Sequence, residues 1–299
     1  MRNEVAFSSS GLTLRAWLYR PRNSAEPSPV IVMSHGFSAV KEQGLAGFAE
    51  RFQEAGFSVL VFDYRHLGDS DGDDRGRIVA QEQHDDLRAA ITFAASLPDV
   101  DAGRIGVWGT SYSGGHALFV GMLDPRVKAI VAQAPAISLV RSLIGLVGQE
   151  GFADYLSLLA DDHVRRNAGS PGGRIPIVAP AGQPSVLSTA DSFDWFTASK
   201  ASTWVNHTSL ESVARIAEYM PASLIGIVAA KPVLLIAGAI DSLIPIGQVR
   251  EVHAMAGEPK RLAEYPCGHF DFYPGGRFHK QAATDAAQWF ERHLAAGVN

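Results

Sequence analysis

Residues 105–122 read IGVWGTSYSGGHALFVGM and carry the clearest fold signal in the chain. A short apolar run at 105–108 leads into a turn, and a helical pattern follows from Gly114. The turn places Ser111 between the predicted strand and the predicted helix. Small residues flank this serine: Gly109, Ser113, Gly114 and Gly115. Because so sharp a turn strains the backbone, only small neighbours fit, and the stretch predicts a strand, a tight turn that presents Ser111, and a helix.

The same order of apolar run, turn and helical pattern recurs along the chain. Further strands are predicted at residues 30–33, 58–62, 127–132, 233–237 and 262–265. Helices are predicted at residues 41–54, 81–96, 114–122, 246–255 and 280–294. A hairpin of two strands, at 5–8 and 12–19, precedes them. Short apolar strands that alternate with helices predict an α/β protein with a mostly parallel central sheet flanked by helices.

The alternation stops after residue 134 and resumes at residue 230. The interval between them holds helical patterns at 152–163 and 210–219, but the alternation of strands with helices is lost there. Such an interruption is typical of an insertion into a single domain. The predicted organisation is an α/β core with an inserted, mainly helical cap: core residues 1–134 and 230–299, cap residues 135–229.

The composition is that of an ordinary globular protein. Of 299 residues, 46% are hydrophobic and 19% are charged, which argues against a disordered chain or a coiled coil. The net charge of −5 offers no basic excess, so no nucleic-acid partner is expected. The N-terminal residues lack the apolar stretch of a secretory signal, and no apolar run approaches the roughly 20 residues that cross a bilayer. We therefore expect a cytoplasmic protein with no membrane partner.

A serine nucleophile needs a base within hydrogen-bond reach and an acid that orients the base. Both should follow strands, because α/β sheets build their sites at the carboxyl ends of their strands. Asp241 follows the predicted strand at 233–237, and His269 follows the strand at 262–265. The candidate catalytic residues are therefore Ser111, Asp241 and His269.

When a serine attacks a carbonyl, the carbonyl oxygen becomes an anion that needs hydrogen-bond donors. The predicted strand at 30–33 leads into the sequence SHGF at 34–37. A His-Gly turn in this context points the next amide into the site, and the residue after the serine supplies a second amide. The predicted oxyanion hole therefore consists of the amides of Phe37 and Tyr112.

Neither a metal nor another cofactor is predicted. The acidic run at 69–74 begins like a calcium loop but lacks the closing glutamate, and the histidines show no metal-ligand spacing. Cys267 is the single cysteine, which excludes an internal disulfide and a cysteine-rich zinc site. We expect Cys267 to be a small buried residue of its turn, and His116 to pack locally on the helix after Ser111.

Together these residues resemble those of α/β-hydrolases over nearly the whole chain. The sequence is most similar to the branch of dienelactone-hydrolase-like proteins, X-prolyl peptidase-like esterases and microbial polyketide transferases. The motifs that carry the resemblance lie at residues 34–37, 62–65, 68–70, 104–116, 238–241 and 268–273. The resemblance implies the α/β-hydrolase fold with a serine nucleophile, since Ser111 stands where dienelactone hydrolases carry cysteine.

The leading hypothesis is a serine hydrolase that cleaves carboxylic esters of a small-molecule acyl substrate through an acyl-enzyme. The same residues would also serve an acyl or polyketide transferase, or a peptidase or amidase, and the sequence does not separate these reactions. A ligand-binding protein on this fold is the alternative outside enzymes. The sequence is also compatible with a homodimer. Aromatic residues of the cap are expected to shape an apolar substrate pocket: Trp195, Phe196, Trp204 and Tyr219.

Overall fold

The computed structural model describes residues 2–22 and 26–295. The strands are β1 (Arg2–Ser9), β2 (Leu12–Tyr19), β3 (Ser28–Ser34), β4 (Ser58–Phe62), β5 (Val100–Thr110), β6 (Val127–Gln133), β7 (Arg174–Ile175), β8 (Thr208–Ser209), β9 (Val233–Gly238) and β10 (Lys260–Tyr265). The main sheet has the order β1-β2-β4-β3-β5-β6-β9-β10. β2 pairs antiparallel with β1 and β4, and the other neighbours pair parallel. The predicted α/β fold with a mostly parallel sheet is confirmed.

The helices are α1 (Ala46–Glu54), α2 (Ala80–Ala95), α3 (Tyr112–Leu123), α4 (Leu139–Asn167), α5 (Ala190–Ala198), α6 (Leu210–Ala217), α7 (Ile246–Met255) and α8 (His279–His293). Short 3₁₀ turns occur at Pro221–Leu224 and His269–Phe272. Within the described ranges, no helix is both long and apolar enough to cross a membrane.

Strand residues alternate between two apolar cores, one on each face of the sheet. On one face, Val32 is buried in a cluster that includes Leu118 of α3. On the other face, Met33 and Trp108 are buried together with Phe290 of α8. Each fully buried side chain of this kind contributes about 1.5–3 kcal/mol. Burial on both faces explains why the strands read as continuous apolar runs.

The interval between β6 and β9 contains α4, α5 and α6. α4 begins at Leu139, before the predicted helix at 152–163, and its backbone bends at Gly148, where φ is +72°. The interval is mainly helical, and the short strands β7 and β8 also lie in it and pair antiparallel with each other. The boundaries of the cap at residues 135 and 229 stay a prediction.

The first helix begins later than the predicted residue 41. Residues 41–44 form turns, and α1 begins at Ala46. The Lys41 amide donates to Asp63 Oδ1 at 2.7 Å, and Gly44 has a φ of +84°. A side-chain acceptor and a left-handed glycine therefore replace the helical hydrogen bonds in this segment.

Candidate active site

Ser111 occupies a strained turn between β5 and α3. Its backbone has φ +56° and ψ −120°, and such a conformation costs a residue with a side chain about 1–3 kcal/mol. The Ser111 amide donates to the Gln133 carbonyl at 2.8 Å, which ties the turn to the end of β6. A Cβ on Gly109 would overlap the Ser113 carbonyl oxygen. Close backbone approach therefore explains the small residues around this serine.

The structure brings Ser111, His269 and Asp241 together. His269 Nε2 lies 3.1 Å from Ser111 Oγ, and His269 Nδ1 lies 2.7 Å from Asp241 Oδ2. The parallel pairing of β9 and β10 brings the loops after them to one edge of the sheet. The amides of Leu243 and Ile244 donate to Asp241 Oδ1 at 2.8 and 2.9 Å. The imidazole thus connects the serine hydroxyl to a carboxylate that the backbone holds in place.

The loop after β3 lies against Ser111. A Cβ on Gly36 would be 3.1 Å from Ser111 Cβ, so the loop backbone approaches the serine closely. The rings of Phe37 and Tyr112 pack edge to face with their centroids 5.6 Å apart. The Tyr112 amide is the first of α3 and has no preceding helical turn to accept its hydrogen. In the described part of the chain, the Phe37 amide also donates to no backbone carbonyl.

His35 holds this loop from within the core. Its Nδ1–H donates to the Gly36 carbonyl at 3.0 Å, and its ring packs edge to face on Tyr64. The residue is only 1% exposed. Burial lowers the pKa of His35 to about 4, so the ring is neutral at pH 7. His35 therefore supports the loop without placing a positive charge in the protein core.

A cluster of charged side chains around the buried Lys41 and Asp63 anchors the far end of the loop. Lys41 Nζ donates to Asp63 Oδ2 and Asp69 Oδ2, both at 2.7 Å, and to Glu42 Oε1 at 3.0 Å. Burial would lower the pKa of Lys41, but the three carboxylates outweigh burial and raise it. A Cβ on Gly68 would overlap the Asp63 carboxylate, so glycine makes room for the ion pair.

The carboxylates of this cluster are also the one described group whose spacing suits a metal ion. The Lys41 ammonium contacts all three of them and takes the place that a cation would fill. The cluster therefore gives no reason to infer a metal. The sequence analysis did not predict this cluster as part of the site. Asp63 and Asp69 could have pointed to it, since they belong to the motifs at 62–65 and 68–70.

A cavity of about 370 Å³ opens beside Ser111. Phe37 and Tyr112 form part of its wall, and Asp154 of α4 is the charged residue among those that line it. Most of the remaining wall is apolar and comes from the segment between β6 and β9, including Leu139, Leu143, Leu146, Leu158, Val213 and Ile216. The helices that carry these residues were only partly predicted, and their place in the wall was missed.

A much smaller cavity, of about 20 Å³, also borders Ser111. Its wall includes His269 and two of the predicted pocket residues, Trp195 and Phe196. Phe270 and other residues of the loops around the triad complete it: Gly36, Phe37, Ala39, Leu187, Leu243 and Tyr273. His269 therefore borders a small space whose wall contains several aromatic residues.

The other two predicted pocket residues, Trp204 and Tyr219, lie outside the walls of both cavities. The Trp204 ring stacks on Phe196 with the centroids 5.2 Å apart. The Tyr219 hydroxyl is hydrogen-bonded to His116 Nδ1 at 2.5 Å, and its ring packs edge to face on Tyr112. Trp204 and Tyr219 therefore pack behind residues that line the cavities and do not line the cavities themselves.

Cys267 is fully buried beside the loop that carries His269. Burial raises the pKa of its thiol to about 12. Because the thiolate is the reactive form, this cysteine is inert near neutral pH. Its environment is that of a packed residue, as expected from the sequence.

Comparisons with known proteins identify the family. Residues 10–271 match the family model described as X-Pro dipeptidyl-peptidase (S15 family). The quorum-quenching protein AidA of Acinetobacter baumannii is 31% identical over 93% of this chain and 90% of its own length. A polyketide transferase of Stachybotrys chlorohalonatus is 30% identical over 98% of this chain and 95% of its own length. A thiohydrolase of Eupenicillium brefeldianum is 30% identical over 95% of this chain and 92% of its own.

A solved structure agrees with these relatives. The crystal structure of the α/β hydrolase GrgF from Penicillium has a TM-score of 0.84 and 25% sequence identity, and the match covers 98% of this chain and 99% of that one. The sheet order, the strained Ser111 turn and these matches together support one assignment. The chain is an enzyme with the α/β-hydrolase fold, and it belongs to the X-Pro dipeptidyl-peptidase (S15) family.

Proposed function

We propose that this enzyme is a serine hydrolase that cleaves carboxylic esters through an acyl-enzyme intermediate. The observation that carries the proposal is the continuous hydrogen-bond path from Ser111 Oγ through the His269 ring to Asp241, at 3.1 and 2.7 Å. Each of these groups has the partner that a nucleophile, a general base and an orienting acid require.

In the first half-reaction, Ser111 Oγ attacks the ester carbonyl while His269 Nε2 takes its proton. Asp241 accepts from His269 Nδ1–H and stabilises the positive imidazolium that forms. The carbonyl oxygen becomes negative and accepts hydrogen bonds from the amides of Phe37 and Tyr112, each worth about 3–4 kcal/mol in such a site. His269 then gives its proton to the leaving alcohol.

In the second half-reaction, water attacks the acyl group on Ser111. His269 Nε2 takes one proton from this water and returns a proton to Ser111 Oγ as the acyl–oxygen bond breaks. The product is a carboxylic acid, and the enzyme returns to its starting state. A mostly apolar cavity of about 370 Å³ lies beside Ser111. It supports an apolar acyl group, which the cavity would hold while the acyl-enzyme exists.

Transfer of the acyl group to an alcohol or amine is the second candidate. Relatives named polyketide transferases support it, since one of them matches 98% of this chain. The same catalytic residues serve both reactions, and the two differ only in the acceptor. Amide cleavage is a third candidate, because the family model is named for a dipeptidyl-peptidase. The cytoplasmic location and the homodimer considered from the sequence stay predictions.

The experiment compares the wild type with Ser111→Ala on methyl octanoate and follows acid release by pH titration. Ser170→Ala, an exposed serine outside both cavities, is the matched control. We expect Ser111→Ala to lose acid release and fluorophosphonate labelling while its circular dichroism is unchanged. Full activity in Ser111→Ala would disprove the proposal. Formation of a new ester or amide with an added acceptor, without free acid, would favour the transferase.

A further inference from the structure

His269 faces only one of the two cavities that meet at Ser111. Ser111 lines both, whereas His269 lines the cavity of about 20 Å³ and not the cavity of about 370 Å³. Building on the proposed function, we propose that the small cavity receives first the leaving alcohol and then the acceptor. The substrates are therefore esters of bulky apolar acids with small alcohols such as methanol, and the acceptor is water.

Proton transfer decides which group lies beside His269. In acylation the ester C–O bond breaks, and the leaving oxygen takes from His269 Nε2 the proton that came from Ser111. In deacylation the acceptor oxygen bonds to the acyl carbon and gives its proton to Nε2, and Ser111 Oγ leaves with a proton. The two steps are the reverse of each other, so both oxygens occupy one place. That place must adjoin the imidazole, and of the two cavities at Ser111 only the small one does.

The size of the small cavity limits both groups. One water molecule needs about 10–15 Å³ of such space, so a cavity of about 20 Å³ takes a water or a methoxy group. The larger cavity has mostly apolar walls and suits the acyl chain, since each buried CH₂ contributes about 0.8 kcal/mol. A reversed orientation, with a large alcohol in the larger cavity, would leave its oxygen away from His269.

The aromatic wall of the small cavity is held from several sides. The Trp195 ring stacks on Phe270 with centroids 5.3 Å apart and contacts the Tyr273 ring at 4.7 Å. The Tyr273 hydroxyl is hydrogen-bonded to Thr110 Oγ1 at 2.9 Å. A Cβ on Gly44 would lie 3.0 Å from Tyr273 Cδ1, so the backbone behind this ring leaves little space. These contacts restrain the rings, so the wall does not readily yield to a larger alcohol.

The same wall distinguishes hydrolysis from transfer. The volume of about 20 Å³ beside His269 is enough for one water molecule but small for a bulky alcohol or amine. The acyl-enzyme therefore reacts with water even when larger acceptors are present. Truncation of a wall residue should open the small cavity and permit transfer.

The test measures kcat/KM for two series of esters. Methyl, butyl and benzyl octanoate vary the alcohol, and methyl acetate, butanoate and octanoate vary the acid. For the wild type we expect kcat/KM to fall about tenfold or more from methyl to benzyl octanoate and to rise with acyl length. Trp195→Ala and Phe270→Ala should each remove most of the penalty on benzyl octanoate and leave the acyl preference unchanged. With added benzyl alcohol and methyl octanoate, only these variants should form benzyl octanoate.

Phe278→Ala is the matched control, because Phe278 is also half-buried, lies in the same segment as Phe270 and lines neither cavity. It should keep the wild-type preference. Equal wild-type rates on methyl and benzyl octanoate would overturn the inference, and so would wall variants that alter the acyl preference alone. In either case, acid release that depends on Ser111 would still support the proposed function. No acid from any ester, together with no fluorophosphonate labelling of Ser111, would overturn both.

Discussion

Lys41 and Asp63 form a buried ion pair at the end of the loop that begins with Gly36. The Lys41 ammonium lies 2.7 Å from Asp63 Oδ2, and the Lys41 amide donates to Asp63 Oδ1, also at 2.7 Å. The side chains of Lys41 and Asp63 are 1% and 0% exposed. Because one carboxylate binds both the backbone and the side chain of Lys41, the pair fixes the loop to the segment after β4.

Lys41→Met should destabilise the protein by about 3–5 kcal/mol, because it leaves the Asp63 carboxylate buried without its partner. Urea unfolding followed by circular dichroism measures this loss. Lys280→Met, an exposed lysine of α8, is the matched control. The double variant Lys41→Met/Asp63→Asn should regain part of the loss, since it removes the unpaired charge. A loss below about 1 kcal/mol in Lys41→Met would contradict a structural role for the pair.

Asp241→Asn should lower kcat on methyl octanoate by about 10³–10⁴ without loss of fold. The amides of Leu243 and Ile244 donate to Oδ1, so the asparagine oxygen should take that position and its NH₂ should face His269 Nδ1. Nδ1 must then accept, which leaves the proton on Nε2 and prevents it from accepting the Ser111 proton. Asp194→Asn, on the exposed face of α5, controls for the charge change. A kcat within about tenfold of wild type would rule out the orienting role.

The strands, most core helices and the triad were predictable because their signals are local. A strand that is buried on both faces of a parallel sheet appears in the sequence as a continuous apolar run, and the end of the run locates the end of the strand. α7 spans the predicted residues 246–255, and α2 differs by one residue at each end. Ser111, Asp241 and His269 each follow such a strand, so no knowledge of long-range contacts was needed to choose them.

The α4 residues of the larger cavity's wall and the Lys41 cluster were not predictable for the opposite reason. Leu143 and Leu146 of α4 face a cavity, but Leu143 is only half-buried and Leu146 is exposed, so their spacing gives no clear helical stripe. Lys41 reaches Asp69 across 28 positions of sequence. Such a contact exists only after the sheet has formed. From the sequence alone, the acidic residues at 69–74 are typical of a solvated loop.

Gly36→Ala should lower kcat/KM about tenfold or more and leave stability nearly unchanged. The added Cβ would lie 3.1 Å from Ser111 Cβ, so the loop must shift by a few tenths of an ångström and carry the Phe37 amide with it. Small displacements of catalytic groups are costly because orientation is part of the catalysis. Gly247→Ala is the matched control, since its Cβ meets nothing within 4 Å on α7. Gly247→Ala should stabilise the protein by about 0.5–1 kcal/mol and keep wild-type activity. Full activity in Gly36→Ala would contradict the prediction, since it would show that the loop backbone tolerates the shift.

His35 should make folding stability depend on pH between about 6.5 and 4. Burial lowers its pKa to about 4 from the ordinary 6.5, so in this window the unfolded chain binds a proton that the folded protein does not. The free energy of unfolding should therefore be fully present above about pH 6.5 and fall by about 3 kcal/mol, on account of His35, as the pH drops to about 4.

His35→Asn tests this dependence, because asparagine retains a donor for the Gly36 carbonyl but does not titrate. Urea unfolding at pH 7 and pH 4.5 should show a smaller fall for His35→Asn than for the wild type, even if the variant is less stable at both pH values. His163→Asn, at an exposed position of α4, controls for the loss of an imidazole. An undiminished fall in His35→Asn would mean that the loop beside Ser111 does not depend on a neutral His35. A diminished fall would show that acid weakens the fold at the loop that carries Phe37, since protonation of His35 places a buried charge there.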